Sequence, residues 1–394
     1  MRIAFFTDNF YPELSGISDS VVTIARELAS RGDDILICAP SAPAKSFEIG
    51  GVAVGEIDLG PRVIVKRLWS MGVPMATGQA RAVIPFFSGT TAFLREWKPD
   101  LIHVHTFFGA GWVGVFAAKR LEVPLVGTNH TALESFVEQL PLGRLWMSVA
   151  LATASRFYNR AVLVSTPSHD LLRDMQANDF RGRGVVVSNP INTEVFAPGD
   201  GASGKARWRL SPHTFSFAGR FAPEKCIDLL IRALPLVRKE VPDAQLALAG
   251  HGTGRAALLA LSESLGVSDG VVFVGTLSQS DLAELFRASE LFAIASTSET
   301  QGMVLLQAMS TGLPAVGVRA RSLPEYIDEG VTGSLVNPGD HVSMAREIVI
   351  LLKDAQKARA EGVRARDAVL QYSVSSIATQ WENLYEEVMV GVIH

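Results

Sequence analysis

The sequence predicts an α/β protein made of two doubly wound, Rossmann-like domains that face each other across a cleft. Short apolar runs alternate with helical patterns along the chain, which is typical of parallel sheets covered on both faces. The pattern restarts after residues 198–204, a stretch with the Gly, Pro and Ser content of a linker. The length of 394 residues suits two domains of about 190 residues each.

Composition and charge exclude several other classes of protein. Apolar residues make up 48% of the chain and charged residues 19%, which favours large buried sheets over disorder. The net charge of −4 gives no general reason to expect nucleic acid. Cys38 and Cys226 are too few for a metal cage or a disulfide framework, so we expect reduced thiols and a cytoplasmic location. The N-terminus is interpreted as a first strand and not as a signal peptide, and no apolar run is long enough to span a bilayer.

The first predicted domain covers residues 1–197. Its expected strands are residues 3–7, 35–39, 101–105, 125–128, 162–165 and 185–187. Apolar residues from Val21 to Ala29 recur at helical spacing and stop at Gly32, which predicts a helix between the first two strands. The loop before this helix contains Gly16, which could let a phosphate or an acceptor approach the backbone closely. The GxGxxG fingerprint is absent from this turn, which argues against a nicotinamide or flavin enzyme.

The second predicted domain covers residues 205–376. Its expected strands are residues 214–218, 245–249, 271–274, 291–295, 315–318 and 334–336. Ligands of such sheets bind outside the carboxyl ends of the strands. An amphipathic segment follows at residues 377–394, and its pattern alone does not say where it packs.

The polar loop after the strand at 291–295 carries the most informative chemistry. It holds the carboxylate of Glu299, and Gly302 then begins a helix that ends near Gly312. Such a turn offers unpaired backbone N–H groups and the positive end of a helix dipole, which suit a phosphate. A neighbouring carboxylate can accept hydrogen bonds from sugar hydroxyls. A polyol joined to a diphosphate describes a nucleotide-sugar.

Arg220 and Lys225 follow the first strand of the second domain. Two cations at the carboxyl end of a strand can clamp a diphosphate, the arginine through its fork and the lysine as a point charge. The alternative is a solvated loop in which Glu224 pairs with one of the cations.

Three histidines, His103, His105 and His130, cluster at the carboxyl ends of strands in the first domain. A zinc site is conceivable, but it would normally want an adjacent carboxylate or two closely spaced histidines on one element. We therefore expect no metal, with at least one buried, hydrogen-bonded histidine, and His130 is the better candidate to face the cleft.

Residues 61–98 carry six basic residues against one acid, Glu96. The basic residues are Arg62, Lys66, Arg67, Arg81, Arg95 and Lys98, and among them lie the aromatic residues Trp69, Phe86, Phe87 and Phe93. Cations beside exposed aromatic side chains suit the surface of an anionic membrane. The alternative is that the aromatic residues are core and the cations form an ordinary solvated face.

Taken together, these motifs resemble those of the retaining family-4 glycosyltransferases of GT-B fold, nearly end to end. The resemblance rests on segments 8–16, 100–105, 128–131, 189–198, 219–225, 250–252 and 298–302. It implies that Arg220 and Lys225 hold the donor diphosphate, that Glu299 binds donor-sugar hydroxyls and that His130 lines the reaction centre. It also implies that the helix at about 377–390 returns to the first domain. The further donor-binding residues are Gly16, Gly250, Gly275, Leu277, Gln301, Gly302, Met303, Val304 and Gln307.

Two residues depart from the family pattern. Gln307 replaces the second acid of the E-x7-E motif, so a charge-assisted ribose contact of ~1.5–3 kcal/mol becomes a neutral one of ~0.5–1.5 kcal/mol. We expect a higher KM for the donor and not a loss of catalysis. Cys226 replaces the usual glycine, and its bulk is expected to shift the start of the next helix slightly.

The local sequence at residues 298–302 is similar to that of bacterial transferases that place α-glucose on diacylglycerol, and to that of sulfolipid synthases. The resemblance therefore predicts transfer of a hexose, glucose, from a UDP-sugar to a diacylglycerol-type lipid, without a metal or another cofactor. The protein is then expected at the inner face of the membrane. Alternatives are a soluble sugar or small-molecule acceptor, a hydrolysing sugar-nucleotide 2-epimerase, and an inactive nucleotide-sugar-binding relative.

Overall fold

The computed structural model describes residues 1–391 except 14, 51–53, 56, 73–80, 85–86 and 132–142. For residues 49–50, 87–88 and 143–150 it describes the backbone alone. The chain divides into two compact units, which we call unit 1 (Met1–Pro190 with the segment from Val374) and unit 2 (Ile191–Ser373).

The strands are, in chain order, β1 (Arg2–Phe6), β2 (Asp34–Pro40), β3 (Val63–Leu68), β4 (Ser70–Gly72), β5 (Arg81–Val83), β6 (Leu101–Val104), β7 (Leu125–Thr128), β8 (Leu163–Thr166), β9 (Gly184–Val186), β10 (Thr214–Ala218), β11 (Gln245–Ala249), β12 (Val271–Gly275), β13 (Leu291–Ile294), β14 (Ala315–Val318) and β15 (Gly333–Val336). The helices are α1 (Gly16–Ser30), α2 (Ala44–Gly50), α3 (Phe87–Trp97), α4 (Gly109–Leu121), α5 (Gly143–Tyr158), α6 (His169–Ala177), α7 (Ala202–Trp208), α8 (Ile227–Glu240), α9 (Arg255–Ser264), α10 (Gln279–Arg287), α11 (Met303–Ser310), α12 (Leu323–Tyr326), α13 (His341–Lys353), α14 (Ala355–Val369) and α15 (Val374–Gly391).

Unit 1 is built on a parallel sheet with the strand order β3-β2-β1-β6-β7-β8-β9. Its central strands are short, mainly apolar runs that are almost wholly buried, as expected for a sheet covered by crossover helices. Helix α1 begins where the Ser15 hydroxyl accepts a hydrogen bond from the Ser18 N–H, a standard N-cap. Strands β4 and β5 form a separate antiparallel pair.

Unit 2 is built on a second parallel sheet with the strand order β12-β11-β10-β13-β14-β15. Its core includes the buried rings of Phe215, Phe217, Phe286 and Phe292. The predicted strands of both sheets lie within one residue of the observed ones. The predicted fold class, two parallel-sheet Rossmann-like domains, is therefore confirmed.

Strand β3 was not predicted, because residues 63–68 were interpreted as part of a basic surface. The strand pairs with β2 at the edge of the sheet and is mostly half-buried. An edge strand lacks the continuous apolar run that identifies the central strands.

Helix α15 packs within unit 1 through Ile377, Trp381 and Tyr385, all buried. In the part of the chain that the structure describes, no helix combines the length and the apolar character needed to cross a bilayer.

Candidate functional site

The carboxyl-terminal edge of the unit 2 sheet gathers the residues predicted to bind the donor. Strands β10 and β13 are parallel neighbours, so the loops that follow them meet at this edge. The Thr297 N–H donates a hydrogen bond to the Glu224 carbonyl over 3.3 Å, which fastens the two loops together. Arg220 and Lys225 lie on the first loop, and Glu299 and Gly302 on the second.

Each cation of the predicted clamp has a carboxylate partner. The Lys225 Nζ lies 2.6 Å from the Glu299 Oε1, and the two side chains are only 19% and 12% exposed. The Arg220 Nη2 lies 2.8 Å from the Glu224 Oε1, and the Arg220 side chain is 57% exposed. The alternative pairing with Glu224 therefore holds for Arg220. The direct contact between Lys225 and Glu299 was not predicted, since the two residues are 74 positions apart.

The loop that carries Glu299 is held in place from a third strand. After β14, the Ser322 hydroxyl donates to the Glu299 carbonyl over 2.9 Å. Gly302 adopts the left-handed conformation with φ of 79° and begins α11. The turn therefore places the N-terminus of α11 close to Glu299, as the sequence predicted.

The other predicted donor residues of unit 2 lie on the same edge or on α11. Gln301 and Gln307 are buried, and Met303 and Val304 are half-buried. Gly250 follows β11 with φ of 126°, and a Cβ there would lie 1.9 Å from the Gly219 carbonyl oxygen. Gly275 ends β12, and Leu277 follows it half-buried.

Cys226 occupies a position that favours glycine. Its φ of 47° and ψ of 40° are left-handed, and α8 begins at the next residue, Ile227. Cys226 itself therefore carries the backbone strain of a left-handed residue, and a shift of the helix start stays a prediction. Burial raises the pKa of this thiol.

Unit 1 contains a stack of three imidazole rings, His103, His105 and His130, which we call the histidine stack. The His105 ring lies between the other two, with centroids 4.1 Å from His103 and 5.6 Å from His130. The His105 Nδ1 lies 3.3 Å from the His130 Nε2, within hydrogen-bond distance. Burial lowers the pKa of all three histidines, that of His130 to about 4. The rings are therefore neutral at physiological pH.

His103, at the end of the stack away from His130, is hydrogen-bonded through both ring nitrogens. The His103 Nδ1 lies 2.7 Å from the Tyr385 hydroxyl of α15, and its Nε2 lies 2.7 Å from the Thr128 hydroxyl. Thr128 in turn contacts the Ser165 hydroxyl over 2.6 Å. This is the buried, hydrogen-bonded histidine that the sequence predicted. Over the described ranges, no group of three or more His, Cys, Asp or Glu side chains could hold a metal ion.

Two further residues of interest, Gly16 and Asp8, lie in the segment that follows β1. Gly16 is the exposed first residue of α1 and has no left-handed backbone. Asp8, which no sequence argument singled out, is a buried carboxylate that accepts hydrogen bonds from the Ala110 N–H and the Thr106 hydroxyl. Burial raises its pKa. The sequence feature that could have identified Asp8 is a lone aspartate shortly after a buried strand.

The basic stretch 61–98 has cations of two kinds. Arg67 donates to the Tyr11 and Pro40 carbonyls, and Arg81 donates to Ser70, so both are built into unit 1. Arg62 pairs with Asp34, Lys66 lies over the Phe93 ring, and Arg95 and Lys98 are exposed. Trp69 and Met71 are 54% and 52% exposed. Phe86 lies outside the described residues, as does the Phe87 side chain.

The chain matches two protein families in succession. Residues 14–195 match the family described as Glycosyltransferase Family 4, and residues 202–367 match Glycosyl transferases group 1. A GDP-mannose-dependent α-mannosyltransferase of Corynebacterium glutamicum is 28% identical over 86% of this chain and 78% of its own. An α-monoglucosyldiacylglycerol synthase of Streptococcus pneumoniae is 26% identical over 86% and 76%. A D-inositol 3-phosphate glycosyltransferase of Segniliparus rotundus is 31% identical over 69% and 64%.

The fold also matches solved structures. HepE of Anabaena in complex with UDP has a TM-score of 0.78 at 23% identity, covering 98% of this chain and 100% of its own. The likeness extends over both units and confirms the predicted GT-B fold.

Proposed function

Because the chain belongs to the glycosyltransferases with family-4 and group-1 domains, we propose that it is a retaining hexosyltransferase that moves glucose from a UDP-sugar to a diacylglycerol-type lipid. The observation that carries the donor part is the gathering of Arg220, Lys225, Glu299 and the start of α11 at one sheet edge. Two cations and a helix N-terminus suit a diphosphate, and a carboxylate beside them suits sugar hydroxyls.

In this proposal the catalysis is electrostatic. Arg220, Lys225 and the first N–H groups of α11 stabilise the charge that develops on the leaving diphosphate. Lys225 is already desolvated and oriented by Glu299, so little reorganisation is needed when the donor arrives. The leaving phosphate takes the proton of the acceptor hydroxyl, and the new bond forms on the same face of the sugar. No metal or other cofactor takes part.

His130 lines the reaction centre as a neutral imidazole. With its pKa at about 4, it is not a proton donor at physiological pH. Its role is therefore to offer one fixed hydrogen bond and to exclude water.

The lipid acceptor draws support from the exposed Trp69 and Met71 and from the relative named for monoglucosyldiacylglycerol synthesis. Two large exposed apolar side chains, in the same basic stretch as the exposed Arg95 and Lys98, suit peripheral contact with an anionic membrane. Binding to vesicles of phosphatidylglycerol in neutral lipid should fall in a Trp69→Ser/Met71→Ser variant. Val342→Ser, which alters an equally exposed apolar residue of unit 2, is the matched control. Equal sedimentation of both variants with wild type would remove the membrane from the proposal.

A donor-by-acceptor screen tests the function as a whole. Purified protein is incubated with UDP-glucose, UDP-galactose or GDP-mannose, each with diacylglycerol, with D-inositol 3-phosphate or with no acceptor. We expect UDP release and an α-glucosylated lipid with the first donor and acceptor. The inositol phosphate arm tests a soluble acceptor, which the Segniliparus relative favours by its name. Release of a 2-epimerised sugar would indicate an epimerase, and donor binding without turnover would indicate an inactive relative.

A further inference from the structure

Arg366, on α14, binds the carboxyl end of α11, the end away from the proposed donor site. Its guanidinium donates hydrogen bonds to the Ser310 carbonyl and to the Ser310 hydroxyl, both over 2.7 Å. It also donates to the carbonyls of Phe196 over 3.2 Å and Thr193 over 3.1 Å. The buried Ser310 hydroxyl donates in turn to the Phe196 carbonyl over 2.8 Å. One side chain therefore joins the last residue of α11 to the segment 193–196.

Arg366 also brings a positive charge to this end of α11. Met303–Ser310 contains no basic residue, so the cation comes from a neighbouring helix. Helix α14 comes close because residue 362 is glycine, where a Cβ would lie 2.0 Å from the Gly312 carbonyl oxygen. Burial lowers the pKa of the half-buried Arg366, but a guanidinium stays protonated near neutral pH. The charge is therefore fixed beside Ser310.

A charge at one end of α11 acts at the other end through the helix dipole. Helix α11 has eight residues, which makes it about 12 Å long at a rise of about 1.5 Å per residue. Its carboxyl end carries roughly −0.5 of an elementary charge and its amino end roughly +0.5. A cation beside Ser310 offsets the negative end, so the electrostatic potential beside Gly302 becomes more positive.

We propose that Arg366 is a positioning residue that anchors the carboxyl end of α11, offsets its negative charge and so strengthens the binding of the donor diphosphate at the amino end. The inference rests on the proposed function in one respect, the placement of the diphosphate at the start of α11.

Arg287, the last residue of α10, provides a matched control. It is half-buried like Arg366 and donates to the Val195 and Ala197 carbonyls over 2.7 and 2.8 Å. It therefore holds the same part of the chain, but within the described residues it makes no hydrogen bond to α11. Loss of Arg287 should cost stability, as loss of Arg366 does, without removing the cation beside Ser310.

Calorimetric binding of UDP and of uridine separates the effect of charge from a loss of structure. Both ligands contain the base and the ribose, but only UDP carries phosphates. Arg366→Gln should weaken UDP binding about three- to tenfold and change uridine binding by less than about twofold. Arg366→Lys, which keeps the charge, should bind UDP within about twofold of the wild type. Arg287→Gln should change neither affinity, although its free energy of unfolding should fall like that of Arg366→Gln.

An unchanged UDP affinity in Arg366→Gln overturns the inference. So does an equal loss of UDP and uridine affinity, which indicates a structural defect alone, or a failure of Arg366→Lys to restore UDP binding. If Arg366→Gln does not fold, Arg366→Met, which keeps the apolar stem of the side chain, allows the same comparison.

Failure of the proposed function gives a different result. If the wild type binds GDP and not UDP, the UDP donor is wrong, and the same variants are compared with GDP and guanosine. A wild type that binds neither nucleotide contradicts the proposed donor site, and the inference with it.

Discussion

Removal of one partner of the Lys225–Glu299 ion pair is expected to destabilise unit 2 far more than removal of one partner of an exposed pair. The Nζ–Oε1 distance of 2.6 Å corresponds to a gross attraction of about 6 kcal/mol at an effective dielectric constant of about 20. Desolvation offsets much of this attraction. Loss of one partner from a buried pair costs ~3–5 kcal/mol, and the remaining access of this pair to water lowers our expectation to about 2 kcal/mol.

A double-mutant cycle measures this coupling. Lys225→Met, Glu299→Gln and the double variant are unfolded in urea, and the free energies of unfolding are compared. Each single change should cost about 2 kcal/mol, and the coupling energy should be ~1–3 kcal/mol. The matched control is Arg319–Glu329, a pair of the same unit at 2.7 Å with both side chains about half exposed. Its coupling should stay below ~0.5–1 kcal/mol.

Addition of UDP links the cycle to function. The diphosphate should stabilise the wild type and the Arg319→Met control alike, and should stabilise Lys225→Met much less. A coupling no larger than that of the control pair would refute the reasoning that Glu299 desolvates and orients Lys225. Equal stabilisation of Lys225→Met by UDP would show that this lysine is not part of a diphosphate clamp.

Four further outcomes are expected. Arg220→Ala should lower kcat by ~10²–10³ but change the free energy of unfolding by less than ~0.5–1 kcal/mol, because its side chain is 57% exposed; unchanged turnover would contradict the clamp. Gln307→Glu should lower the donor KM severalfold, by ~1 kcal/mol, and lower the Tm of the free protein, because the side chain is buried; a higher KM would indicate selection of Gln307 for another donor. EDTA should leave turnover unchanged, and a loss restored by Mg²⁺ or Mn²⁺ would contradict a metal-free clamp. Cys226→Gly should raise the free energy of unfolding by about 1 kcal/mol by relieving the left-handed strain, whereas Cys226→Ala should give no gain.

The sequence predicted the sheets well for a physical reason. A strand buried on both faces is mainly apolar, so β1, β10 and β13 could be identified directly from their residues. The edge strand β3 is only half covered, and its mixed pattern is equally compatible with a surface.

The loops of the candidate site could be placed but their contacts could not. The parallel order of β10 and β13 brings Arg220, Lys225 and Glu299 to one edge, and this much follows from their positions after the strands. Which cation pairs with which carboxylate depends on the path of each loop. Hydrogen bonds such as the one from the Ser322 hydroxyl to the Glu299 carbonyl determine that path. The contact of Tyr385 with His103 joins residues 282 positions apart. Periodicity carries no information about such a pairing.

The return of α15 to unit 1 has a consequence for synthesis of the chain on the ribosome. All of Ile191–Ser373 is translated before Val374, so unit 2 has its complete sequence while unit 1 still lacks Trp381 and Tyr385. Domains usually fold in the order of their synthesis. Unit 1 is therefore begun before unit 2 and completed after it, because the Tyr385 hydroxyl that bonds the buried Nδ1 of His103 is synthesised only after all of unit 2.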